Sequence, residues 1–178
     1  TIGSTMSTQA DWIDDPKAFP AWQAAGELGL PIAMQMSQAA LPQLVAMVER
    51  FPGVKVILDH LARPVLEDGP PYAAAAPLFG LAHYPGVHLK VTPRTFAECR
   101  KGKATPETFF TKLVGEFGAA RIAWGSNYPS SEGPLKSLLA VARASLAALP
   151  QADQEWIFAK TAQALYPALA DEAFEAWY

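Results

Sequence analysis

Apolar positions along the chain fall into short solid runs separated by longer stretches of helical periodicity. Four runs read as strands: Pro31–Met36, Val54–Asp59, Val87–Thr92 and Arg121–Trp124. They lack a clean one-face alternation, the pattern expected of strands covered on both sides. Asp14-Asp15-Pro16 gives the first helix an acidic cap and a proline in its opening turn. Phe19, Trp22 and Leu28 form its apolar side, and Gly29 can close it. The second helix is predicted from Leu41 to Phe51, with Leu44, Val45, Met47 and Val48 turned inward. A third, around Tyr72 to His83, is Ala-rich and is expected to break at Pro77. A fourth opens on Thr105-Pro106-Glu107 and ends near Gly118, a fifth covers Leu135 to Leu149, and short helices follow from about Ala152 to Trp177.

Strand and helix therefore alternate, as in repeated βαβ units with parallel strands. An open doubly wound sheet and a closed barrel both satisfy that order. No strand is followed by G-x-G-x-x-G and no P-loop occurs, which favours the barrel. A full (β/α)8 TIM barrel needs about 250 residues. This chain has 178, enough for the last four to five βα units, with Thr1–Gly3 as the tail of a fifth strand. Residues 1–178 are read as a single domain, a C-terminal half-barrel with closing helices at about 152–178. Such a sheet leaves two open edges and an uncovered inner face. The partner expected to close it is a missing N-terminal half-barrel of the same protein, with a homo-oligomer as the alternative. The opening Thr1-Ile2-Gly3, without an initiator Met, reads like the interior of a longer protein.

Composition narrows the function classes. Charged residues make up 17% and the net charge is −3, with no Lys/Arg run, so no nucleic-acid partner is expected. Apolar stretches are interrupted by Pro, Gly or charge too soon to span a membrane, and the first residues carry no signal-peptide pattern. A single cysteine, Cys99, excludes an internal disulfide and a Cys-based zinc site, and a cytoplasmic location is expected. Cys99 lies in AECRKGK, whose basic residues could lower its pKa, but no His is near in sequence.

Candidate chemistry sits at the strand ends, where parallel barrels build their sites. The loops 60–71 and 126–134 are long and polar. His60 ends VILDH and is expected to face the mouth as metal ligand or proton shuttle, with Asp59 pointing the other way. Asn127 ends RIAWGSN; its carboxamide donates and accepts hydrogen bonds but takes no proton at neutral pH. It either serves the site, with Tyr128 beside it as a substrate contact, or caps its own loop. Lys90, Arg94 and Arg63 are candidates to grip a carboxylate, or else to pair with a neighbouring acid. Gln35 is the odd polar residue of its strand and could reach a ligand; Met36 packs. His88 shares a strand face with Lys90, and His83 caps a helix end. No G-x-S-x-G elbow supports a serine nucleophile.

Several of these segments carry a resemblance. VILDHLARP resembles the sixth-strand D-H-x-x-x-P pattern of the amidohydrolase-related family (amidohydrolase 2), and RIAWGSNYP resembles its eighth-strand R-I-h-W-G-S-D-Y-P pattern. GVHLKVT looks like the family's seventh strand, and IFAKTAQALYP is similar to its closing helix. Order and spacing hold from about Asp11 to Leu169. The resemblance implies a TIM barrel with its site at the strand C-termini. In the family, an H-x-H pair on the first strand and histidines on the fifth and sixth surround a divalent metal, with an eighth-strand aspartate as ligand and base. His60 matches the sixth-strand histidine and Lys90 the seventh-strand lysine. Asn127 replaces the aspartate, and Gln35 or Met36 stands where the fifth-strand histidine is expected. His60 is then the one metal ligand this chain offers, with the others expected from the missing half. The cofactor implied is one divalent metal, zinc or manganese, or none, since some lactonases of the family work without metal.

The activity implied is hydrolysis of a lactone or related C–O or C–N bond in a small carboxylated substrate. His60 and Asn127 are the catalytic candidates, with Gln35, Arg63, Lys90, Arg94 and Tyr128 around the substrate. A non-oxidative decarboxylase on the same barrel is the alternative. A degenerate barrel that binds a small acid without turnover is the third reading.

Overall fold

The computed structural model describes residues 2–3 and 12–170. Five strands form one sheet, β1 (Ile2–Gly3), β2 (Ile32–Gln35), β3 (Val56–Asp59), β4 (Val87–Val91) and β5 (Ile122–Trp124). All neighbours are parallel and the spatial order is the sequence order. A doubly wound sheet would reverse that order at a switch point. Sequential parallel strands with same-handed crossovers keep every helix on one side, which is the geometry of a barrel wall.

The connecting helices are α1 (Phe19–Glu27), α2 (Leu41–Arg50), α3 (Ala76–Gly80), α4 (Pro93–Glu98), α5 (Pro106–Phe117) and α6 (Leu135–Ser145). Their starts follow local chemistry. Asp15 caps the 3-10 turn leading into α1 by accepting from the Lys17 N–H at 2.8 Å, and Thr105 accepts from the Thr108 N–H at the head of α5. Proline occupies the first turn of each of α1 to α5. The stretch 73–83 is broken as expected: a 3-10 turn at Ala73–Ala75 gives way to α3, with Pro77 in the first turn of α3. The fifth predicted helix, α6, ends at Ser145, short of Leu149. α4 was not foreseen, because six residues are too few for a periodic signal.

Leu44 and Met47 of α2, Phe96 of α4, and Phe109, Phe110 and Leu113 of α5 share one core with Met34, Val56, Leu58, Leu89, Val91 and Ile122. Burying side chains of this size contributes about 1.5–3 kcal/mol each. The opposite, concave face carries Ala33, Gln35, Ile57, Asp59, His88, Lys90 and Ala123. The expectation that the strands are covered on both sides holds for β3 and for Ile122 and Ala123 of β5. β2 and β4 alternate buried with half-buried positions, because their concave residues are small or polar and stay partly open.

The C-terminal segment packs beside β5. It comprises α7 (Gln151–Glu155), a π-helical turn (Trp156–Lys160) and α8 (Thr161–Leu165). Phe158 meets Trp124 at 5.9 Å between ring centroids, and the Thr161 hydroxyl donates to the Ala119 carbonyl at 3.1 Å. Leu165 reaches the concave face against Ile57 and Ala123. Of the predicted closing helices, the part from 171 to 177 lies outside the described residues. Among the described residues no helix is long and apolar enough to cross a membrane.

Candidate active site

β3 ends at Asp59, and the chain leaves it in a left-handed turn. His60, Leu61, Ala62 and Arg63 all have φ between 54° and 57°. None is glycine, and each such residue costs about 1–2 kcal/mol. Full burial of Leu61 and Ala62 pins the turn in place. The turn also ends strand alternation. Asp59 therefore does not point away from the site, as alternation from His60 would require; it lies on the concave face in register with Gln35 and Lys90.

His60 is half-buried, and its Nδ1 is hydrogen-bonded to Thr92 Oγ1 at 2.8 Å. Thr92 is fully buried at the head of α4, where it forms a capping box with Thr95; the Thr92 N–H donates to Thr95 Oγ1 at 3.3 Å. Burial holds the His60 imidazole below its ordinary 6.5. The Asp59 carboxylate opposes that shift, while Lys90, Arg63 and Arg94 add to it. The ring is therefore neutral at pH 7 and offers both a donor and an acceptor.

Beside it opens a cavity of about 190 Å³ lined by His60, Arg63, Arg94, Thr95, Glu67 and Glu98, with Pro64, Val65 and Leu66 as its apolar part. It is smaller than the roughly 300–1,000 Å³ typical of small-molecule sites, so it suits one end of a small ligand. Two guanidiniums flank the imidazole there, and a planar bidentate donor is suited to a carboxylate.

The other candidates stand elsewhere. Gln35 and Lys90 line the concave face, where Lys90 Nζ lies 2.6 Å from Asp59 Oδ1. Of the two readings open for Lys90, the neighbouring acid is the contact present. Asn127 and Tyr128 lie in the exposed loop after β5 and do not line the cavity of His60. Asn127 is left-handed at φ 52°, and its Nδ2 donates to Ser131 Oγ at 3.3 Å, while the Tyr128 N–H donates to Ser126 Oγ. His88 donates from Nδ1 to the Gly86 carbonyl, and His83 from Nδ1 to that of Gly80. Cys99 stands at the turn that ends α4, but its side chain is fully buried; burial pushes its thiol up to about 11, against the lowering its basic neighbours suggested.

Sequence reasoning missed Asp59, Thr92, Thr95, Glu67 and Glu98. Only Asp59 carried a signal, as an acid in an apolar strand two elements from an equally misplaced lysine. The threonines required knowledge of α4. Tyr166, just beyond α8, sits near enough to the Asp59 carboxylate for that charge, after burial, to raise its phenol.

The donor set for a metal is sparse. Zinc takes three or four N, S or O ligands. His60 is the one imidazole of the cavity, Asp59 is engaged by Lys90, and a carboxamide stands at position 127. Among the described residues no group of three His, Cys, Asp or Glu side chains could hold a metal. These residues alone do not fit a zinc centre, and no chemical step is derived through one.

A sequential parallel sheet, helices on one face and polar residues at the strand ends define a partial TIM barrel, a fold that builds its sites at the C-terminal mouth. The chain belongs to the amidohydrolase family (amidohydrolase 2), whose model matches residues 3–168. It is 33% identical over 122 residues to an L-fucono-1,5-lactonase of Burkholderia ambifaria, which covers 68% of this chain and 42% of the relative. It superposes on a zinc-bound amidohydrolase of Burkholderia multivorans with a TM-score of 0.70 at 18% identity, covering 89% of this chain and 61% of that one. A 2,6-dihydroxybenzoate decarboxylase from Rhizobium gives a TM-score of 0.63 at 16% identity, over 88% of this chain and 57% of the other. The chain thus spans about two fifths of the curated relative and three fifths of these structures.

Proposed function

We propose that this chain carries part of a hydrolase site acting on a lactone, or a related C–O or C–N bond, of a small carboxylated substrate. The observation that carries the reading is the cavity that gathers His60, Arg63 and Arg94 at the strand ends. The likeness to an L-fucono-1,5-lactonase supports a sugar lactone as the class to test first. Arg63 and Arg94 hold the substrate's anionic or oxygen-rich end. With the His60 Nδ1–H donated to Thr92, Nε2 keeps its lone pair for a water attacking the lactone carbonyl. The water proton passes to Nε2 as the new C–O bond forms, then to the ring oxygen as the old bond breaks. Asn127, Tyr128 and Gln35 stand outside that cavity, and their role is to hydrogen-bond the part of the substrate that extends beyond it.

The same proposal reads residues 1–178 as one domain whose concave face is completed by a further half-barrel of the protein, or by a second copy, in the cytoplasm. If a divalent metal belongs to the complete site, His60 is the ligand from this chain.

The test is hydrolysis of L-fucono-1,5-lactone and other sugar δ-lactones by the complete protein. His60→Ala is expected to lower kcat/KM by about 10²–10⁴. Unchanged hydrolysis overturns the reading. The fold shared with a decarboxylase keeps one second reading; carbon dioxide release from a hydroxybenzoate without lactone hydrolysis would select it.

A further inference from the structure

Lys90 and Asp59 face each other in register on neighbouring strands, with Nζ and Oδ1 2.6 Å apart. The Asp59 side chain is 11% exposed and that of Lys90 31%, so the lysine is the more open member of the pair. An acid this buried needs its partner. A second feature shapes the lysine. Gly125 continues β5 by donating its N–H to the Val91 carbonyl at 2.9 Å, and a Cβ there would lie 2.9 Å from Lys90 Cδ and 3.1 Å from Cγ. The lysine stem thus runs across a position that has no side chain, and its head is drawn to Asp59. Asp59 is joined by one peptide bond to His60, and Lys90 is close enough for its charge to act on the His60 ring.

We propose that Asp59 and Gly125 are positioning residues that hold the Lys90 ammonium at a set point on the concave face beside His60, with its remaining N–H bonds aimed at a substrate oxygen. An ammonium has three donors, and one serves Asp59. The others meet the carbonyl oxygen as it gains charge, where a preorganised cation counts most. A role in hydrolysis rests on the lactonase reading above; capture of an oxygen ligand by Lys90 does not.

The experiment uses the complete protein with reductively ¹³C-methylated lysines, the Lys90 resonance being assigned by Lys90→Arg. It is titrated with the aldonate made by opening the assayed lactone, and lactone kinetics and melting temperature are measured in parallel. In the parent protein the Lys90 resonance is expected to move with the aldonate. Asp59→Asn is expected to abolish that shift and lower kcat at least tenfold with KM changed less than threefold; Asp59→Glu recovers part of both. Gly125→Ala, which leaves both charges in place, is expected to lower kcat threefold or more. If Asp59→Asn does not fold, Gly125→Ala and the parent titration decide. A parent resonance that ignores the aldonate overturns the proposal. So does an Asp59→Asn that alters the melting temperature alone, which marks a structural ion pair. If the parent hydrolyses no lactone, the lactonase reading fails, and a Lys90 shift lost in Asp59→Asn still supports the positioning role.

Discussion

His60 Nδ1 and Thr92 Oγ1 lie 2.8 Å apart and tie the end of β3 to the first turn of α4. One hydroxyl thus has two duties, orienting the imidazole and standing at the cap of the helix that carries Arg94 and Glu98 into the cavity.

Thr92→Val keeps the shape and removes the hydroxyl. It is expected to cost about 1 kcal/mol of stability through the lost cap, seen as a lower urea midpoint. On the proposed lactonase reading, hydrolysis by the complete protein is expected to fall about tenfold or more as the ring loses its anchor. Thr92→Ser restores both. Equal activity of the Val and Ser variants would show that the hydroxyl does not orient His60.

Acid should destabilise the protein through its histidines. Burial holds both His60 and His88 below the ordinary 6.5. Between those lowered folded values and 6.5 the unfolded chain binds more protons, so stability rises with pH across that window and falls on acidification through it. Denaturant midpoints from pH 7.5 to 5 should show the decline, and His88→Gln should flatten it. An unchanged slope in His88→Gln removes that residue as a contributor.

The left-handed turn after β3 should welcome glycine. Ala62 has φ 56° and is fully buried. In ordinary helix or strand, Ala→Gly costs about 0.5–1 kcal/mol; here relief of about 1–2 kcal/mol of left-handed strain opposes that cost and the lost methyl. Ala62→Gly is expected to be neutral or stabilising by thermal melting. A loss above about 1 kcal/mol would contradict a strained turn.

Cys99 should be inert in the folded protein. Its thiol is buried and raised to about 11, so little thiolate exists at pH 8. A disulfide reagent at pH 8 is expected to react only as fast as the chain opens, and fully in denaturant. Stoichiometric labelling within seconds in native buffer would contradict the burial.

Much of the architecture is written in local sequence signals. Apolar runs ending in VILDH and RIAWG, and prolines placed just behind Asp15 and Thr105, are local signals, and the preference for a barrel over an open sheet followed from the absence of any nucleotide-binding turn. His60, Arg63 and Arg94 could also be picked from strand ends, and the fold brings all three to one cavity. Other residues depended on contacts that no spacing encodes. Alternation from His60 sends Asp59 the wrong way because it assumes regular backbone, whereas four left-handed residues begin where the strand stops. Asn127 is adjacent in pattern to the site yet bonds its own loop, a choice made by short-range geometry around Ser131.

By itself, then, the sequence determined the class of fold and the end of the sheet where polar side chains gather, because hydrophobic period and capping act within a few residues. Tertiary structure alone decided which of those side chains meet. The Asp59–Lys90 pair, the Thr92 anchor and the clearance over Gly125 each join residues about thirty or more positions apart, and such contacts exist only once parallel strands are in register.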